Sequence, residues 1–158
     1  RSRGLGPHPR LVIMTNRLGL SPEMSVFTRA ETPPLIITNS EAPADRVEDL
    51  QRVADVVRLG KERVDLHAAV GFLDDHGFSQ VLCEGGPHLF GALLRDDLVD
   101  ELCVTLSPKL VAGPSMRIAV TEDELDRPLR LVHTIPDAEG FVLMRYEVER
   151  ERARRSDG

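Results

Sequence analysis

At 158 residues, with 41% hydrophobic and 29% charged side chains, the chain is long enough for one soluble domain with a real core. A net charge of −6 argues against a general nucleic-acid or anionic-membrane binder, though a local helix N-terminus can hold phosphate even in an acidic protein. There is no apolar run long enough to span a bilayer and no visible signal peptide, so the expectation is a cytoplasmic protein without a membrane partner.

Residues 1–9 are basic and rich in Gly and Pro, and read as a loop. Arg10–Met14 is a continuous apolar run of strand length, predicted to lie centrally in a parallel sheet and to end in Thr15-Asn16-Arg17. Leu18 to Pro33 is irregular, with Val26 and Phe27 covering an edge of the sheet. Pro34–Thr38 is the next strand, followed by Thr38-Asn39-Ser40. These short polar groups fit a contact with the adenosine side of a ligand, or equally the N-cap of the next helix. Val47, Leu50 and Val53 lie on one face of a short amphipathic helix from Ala44, and Asp55–Leu59 is a brief strand at or near an edge. Asp65 caps a helix that buries Leu66, Ala69, Val70 and Leu73 and stops at Gly77. Asp74-Asp75-His76 invites a metal reading, but adjacent helical residues diverge, and solvated surface is the better account. No metal site is predicted.

The most informative stretch is Gln80 to Leu94. Val81-Leu82-Cys83 reads as a short buried strand, broken by Gly85-Gly86, and Pro87 opens a helix that turns Leu89, Phe90, Leu93 and Leu94 inward. A strand, a Gly-Gly turn and a helix N-terminus together present free backbone N–H groups and the positive end of the helix dipole, which suits an anion such as phosphate. The glycines let a ligand approach the backbone with no Cβ in the way. A tight turn alone would also explain Gly-Gly. Glu84 tips the balance, because the C-terminal end of a strand is where open α/β sheets place their ligands.

Farther on, Leu102–Leu106 reads as a buried strand followed by a loop, and Val111 to Arg127 as a surface excursion. Leu129–Thr134 and Phe141–Val148 form an antiparallel hairpin, and residues 149–158 are a charged tail. Cys83 and Cys103 sit inside apolar patterns and read as small core residues. The residues therefore predict an α/β domain over 1–148, with a mostly parallel sheet closed by a hairpin.

The run V-L-C-E-G-G-P-H-L-F-G-A-L-L, with L-V-D-E-L-C-V-T-L-S-P-K-L-V-A-G after it, resembles the reductase domain of bacterial riboflavin biosynthesis. That domain is the C-terminal half of the bifunctional deaminase–reductase and also occurs as free-standing actinobacterial pyrimidine reductases. The resemblance covers Pro9 to Tyr146. It implies a three-layer dihydrofolate-reductase-like fold, NADPH as cofactor, a homodimer, and reduction of the ribosyl group of 5-amino-6-(5-phosphoribosylamino)uracil to ribityl. It also implies that a first strand, a substrate loop and a first helix precede the position of Arg1. By family position, Thr15, Gly85, Gly86, Pro87, His88, Leu89, Phe90, Gly91 and Ala92 contact the dinucleotide, and Glu84 contacts the substrate. Arg17 adds charge toward a ribose 2′-phosphate, or else is simply solvated. No side chain is expected to act as acid, base or nucleophile, because hydride chemistry belongs to the cofactor. Two residues depart from the family: His88 stands where a Thr is usual, and Met14 where an Asp is often found. A dihydropterin reductase and a non-catalytic NADP-binding or assembly domain are the alternatives.

Overall fold

The computed structural model describes residues 8–150. Most of the loop expected over residues 1–9, and the tail beyond Arg150, lie outside the described residues. Packing divides the chain into two compact units that meet in sequence between Val81 and Leu82.

The first unit is built on a parallel sheet of three strands, β1 (Val12–Met14), β2 (Leu35–Thr38) and β3 (Asp55–Arg58), in the order β1-β2-β3. The central strand is β2, and all four of its residues are buried. The sequence placed the Arg10–Met14 run at the centre, whereas among the described residues β1 pairs only with β2 and is half-buried. β3 lies at an edge, as expected.

Successive residues of a strand face opposite sides, so Ile36 and Ile37 feed two different cores. On one side Ile36 packs with Leu18, Phe27, Val47, Leu50 and Ala54. Phe27 comes from α1 (Ser25–Thr28), and Val47 and Leu50 from the amphipathic face of α2 (Ala44–Gln51). On the other side Leu35 and Ile37 pack with Ala69 and Leu73 of α3 (Leu66–Asp75). The cap of α3 is the predicted one: the Asp65 carboxylate accepts from the Ala68 N–H at 2.9 Å. Gly77 follows α3 with a φ of +83°, a conformation that favours glycine.

The second unit holds α4 (Pro87–Arg95) and an antiparallel sheet of β4 (Glu101–Leu106), β5 (Leu129–Pro136) and β6 (Val142–Val148), in the order β4-β6-β5. The predicted hairpin is β5–β6. Its turn is fixed by Asp137, whose carboxylate accepts from the N–H groups of Glu139 and Phe141. Two expectations fail here. Leu102–Leu106 forms a strand but is not buried, because Cys103, Thr105 and Leu106 are exposed. Val81-Leu82-Cys83 forms no strand at all, and Leu82 is 78% exposed. A strand exists only through pairing, and a three-residue apolar run carries no information about its partner.

The architecture is thus mixed α/β with one parallel and one antiparallel sheet. No helix among the described residues is long and apolar enough to cross a membrane.

Candidate active site

The predicted site residues fall in both units, and each group is described by itself. In the first unit they lie at the carboxyl ends of the parallel strands. The Thr15 N–H donates to the Ile37 carbonyl at 3.0 Å, which extends the β1–β2 pairing by one residue. The Thr15 Oγ1 accepts from the N–H groups of Arg17 and Leu18 at 3.3 and 3.1 Å. The hydroxyl therefore fastens the turn, and its own proton stays free to donate.

Asn16 and Asn39 tie neighbouring segments together. The Asn16 side chain accepts from the Val64 N–H at 2.8 Å, and the Asn39 amide donates to the Asn16 carbonyl at 3.0 Å. Thr38 is fully buried, and its Oγ1 has no hydrogen-bond partner. The N-cap reading of Thr38-Asn39-Ser40 does not hold, because α2 starts after Pro43 and no side chain caps it.

The segment after β3 is held down at several points. The Leu59 N–H donates to the Thr38 carbonyl at 2.7 Å, and the Gly60 carbonyl accepts from the Ser40 N–H at 2.9 Å. Gly60 has a φ of +88°, and a Cβ there would lie 2.1 Å from the Arg63 carbonyl oxygen, so only glycine fits. This edge carries Arg17, Arg58, Lys61 and Arg63, all exposed. None of the four makes an ion pair among the described residues. The sequence reading singled out Arg17 alone. It did not single out Arg58, Lys61 and Arg63, because only the backbone ties reveal that their segment is held at a strand terminus.

In the second unit the Gly-Gly turn leads into α4 as expected. Gly86 is the N-cap residue and Pro87 occupies the first helical position, with no side-chain cap. The Phe90 N–H returns to the Gly86 carbonyl at 3.0 Å. The N–H groups of His88 and Leu89 are those a capping side chain would take, and here they are left open. Gly85 has a φ of +110°, and a Cβ at Gly85 or Gly86 would meet nothing within 4 Å. The first turn has no acidic residue, and Arg95 in the last turn complements the dipole. Glu84 and His88 are exposed, Leu89, Phe90 and Ala92 are half-buried, and Gly91 is buried.

Glu84 makes no hydrogen bond or ion pair among the described residues. It lines neither of two shallow, open pockets. One of these, about 320 Å³, lies at the amino ends of β2 and β3 beside Arg10, Phe72 and Phe78. The other, about 360 Å³, lies between Leu94 and residues Arg117 to Leu125. Among the described residues no cluster of His, Cys, Asp and Glu could hold a metal.

The model of the RibD C-terminal domain family matches residues 2–143. The chain belongs to that family. Among its relatives is a 2,5-diamino-6-ribosylamino-4(3H)-pyrimidinone 5′-phosphate reductase from Methanothermobacter thermautotrophicus, 33% identical over 77% of this chain and 56% of the relative. A protein of the same name from Archaeoglobus fulgidus is 27% identical over 89% of this chain and 64% of the relative. The chain thus spans less than two thirds of the length of these RibD-related proteins. In structure it resembles a pyrimidine reductase-like protein from Corynebacterium diphtheriae, with a TM-score of 0.78 at 23% identity, over 90% of this chain and 62% of that one. It also resembles Acinetobacter baumannii RibD, with a TM-score of 0.71 at 18% identity, over 90% of this chain and 38% of that one. At those identities the likeness is one of fold.

Proposed function

We propose that the protein is an NADPH-dependent reductase of riboflavin biosynthesis, acting on a pyrimidine that bears a phosphoribosylamino group and converting its ribosyl unit to ribityl. The observation that carries this reading is the start of α4, where two glycines without a Cβ precede two open amides and no acidic side chain intervenes. Those groups fit a pyrophosphate. Gly85, Gly86, Pro87, His88 and Leu89 would form the cradle, and Phe90, Gly91 and Ala92 would shape the next turn of the helix. In the first unit, the free hydroxyl proton of Thr15 would donate to the dinucleotide. Taken by itself, the strand-end edge of the first unit, with four cations unpaired among the described residues, would suit a 2′-phosphate and so NADPH over NADH.

Reducing ribosyl to ribityl places a hydride on C1′ while the bond from C1′ to the ring oxygen breaks and that oxygen takes a proton from solvent. NADPH supplies the hydride when bound. The chain's residues would orient the partners for that transfer. Glu84, one residue before the cradle, would accept a hydrogen bond from a ribose hydroxyl or the pyrimidine. The corresponding fold is the three-layer dihydrofolate-reductase-like one, supported by the helix on each face of the parallel sheet. Exposed Leu106, Leu129 and Leu131, whose partners on β6 lie on one face of the antiparallel sheet, support a homodimer.

The test is a fluorescence titration with NADPH and NADH, followed by loss of absorbance at the nicotinamide band with the pyrimidine substrate. Glu84→Gln should lower turnover by about tenfold or more, the effect of losing a charged hydrogen bond, with NADPH affinity intact. Unchanged turnover would remove Glu84 from the site. Tight NADPH binding without turnover of any pyrimidine would leave only a binding domain, and turnover of a dihydropterin instead would reassign the substrate.

A further inference from the structure

Gly91 lies in the second turn of α4, four residues after Pro87, so the two share one stripe of the helix. A backbone segment lies directly on that stripe. The Val120 N–H donates to the Pro87 carbonyl at 3.0 Å. A Cβ at Gly91 would stand 2.2 Å from the Val120 carbonyl oxygen and 2.7 Å from its carbon. The obstruction is backbone and cannot rotate aside, so glycine alone permits this approach. From Val120 the segment continues toward Leu94, with which it borders the open pocket of about 360 Å³.

A first turn without a cap tends to fray, and the common remedy is Ser, Thr, Asp or Asn at the N-cap. Here that remedy would defeat the site, because the capping oxygen would occupy the amides of His88 and Leu89 that an anion needs. Anchoring the turn through the Pro87 carbonyl steadies it from the acceptor side and leaves the donors open.

We propose that Gly91 is a positioning residue: by admitting the backbone of Val120, it lets residues 117–125 strap the first turn of α4 and hold its open amides in place for a phosphate-bearing ligand. The inference rests on reading α4 as the dinucleotide-binding helix. The Pro87 carbonyl can take this second bond without losing its helical one, since an sp² oxygen has two lone pairs.

Four proteins are compared: wild type, Gly91→Ala, Val120→Pro and Leu73→Ala. Val120→Pro deletes the strap's N–H while leaving the helix sequence untouched. Leu73→Ala lowers stability from the other unit's core. The measurements are the dissociation constant for NADPH, kcat at saturating NADPH, and hydrogen exchange of the Val120 amide in wild type and Gly91→Ala. We expect Gly91→Ala and Val120→Pro each to raise the dissociation constant about tenfold, the scale of one lost hydrogen bond, with kcat nearly unchanged. Exchange of the Val120 amide in Gly91→Ala should quicken to a similar degree. Leu73→Ala should bind NADPH as wild type does, since loss of stability alone is not the cause. Wild-type affinity in both Gly91→Ala and Val120→Pro, or an equal loss in Leu73→Ala, would overturn the strap while leaving the cofactor reading intact. A wild-type protein that binds no NADPH would instead overturn that reading, whatever the exchange data show.

Discussion

Asn16 carries two bonds that no nearby residue could make for it. Its side-chain oxygen accepts from Val64, 48 positions away, and its own carbonyl accepts from Asn39. Asn16→Ala should remove the partner of the Val64 N–H and cost about 0.5–1.5 kcal/mol, the net worth of an ordinary hydrogen bond, read as a lower urea midpoint with an unchanged m-value. Stability equal to wild type would mean that water replaces the side chain without penalty. The sequence showed Thr15-Asn16-Arg17 at the end of a strand, and the short hydroxyl side chain of Thr15 suits a turn there. Its partners at positions 17 and 18 are local, so the motif was legible. The bond to Val64 was not, because nothing in either segment encodes their proximity. A second residue-scale effect concerns Glu23. The Ser21 hydroxyl, helped by the residue's own backbone N–H, holds the Glu23 carboxyl below its ordinary range. A lowered folded-state value adds stability above the unfolded pKa, and this is lost as pH falls through the folded one. Ser21→Ala should therefore move the Glu23 titration upward in a carboxyl-carbon NMR experiment, and an unmoved titration would remove Ser21 as the cause.

Among the elements, the loop from Arg58 to Asp65 is the one most exacting in sequence. Gly60→Ala combines a positive φ with a 2.1 Å overlap on backbone. It should cost about 1–3 kcal/mol or more. The readout is a lower melting temperature, with earlier proteolytic cleavage in the loop. A variant as stable and as protease-resistant as wild type would show that the loop relaxes at little expense. The helices α2 and α3 and the β5–β6 hairpin were legible because their signals are local: apolar residues at helical spacing, an Asp at the cap, a turn-forming run between alternating strands. Sheet membership is not local. Val81–Cys83 has the composition of a buried strand, yet its backbone pairs with nothing described. Val12–Met14 has the composition of a central strand, yet it is β2 that has a neighbour on each side. Gly91 shows the same limit in a helix, since its reason for being glycine sits 29 positions downstream at Val120.

For the molecule as a whole, the proposed function has an acidic chain bind a polyanion. The net charge of −6 repels NADPH at long range, but the Debye length at physiological salt is only about 8 Å, so local charge decides the outcome. Arg58, Lys61 and Arg63 stand on one loop at the carboxyl edge of the parallel sheet and have no carboxylate partner among the described residues. Backbone bonds to Thr38, Ser40 and Glu41 hold the loop, so little ordering entropy opposes a ligand there. An exposed ion pair contributes roughly 0.2–1 kcal/mol, so three cations near a dianionic 2′-phosphate would supply about 0.6–3 kcal/mol together. Replacing all three with Ser should weaken NADPH binding by roughly threefold to a hundredfold. NADH has no 2′-phosphate, so its affinity should change little, and raised salt should erode the wild-type preference while leaving the variant's flat. Equal losses for the two cofactors would mean that the cations act on the pyrophosphate or on the fold. No loss for either would place the adenosine end away from this edge.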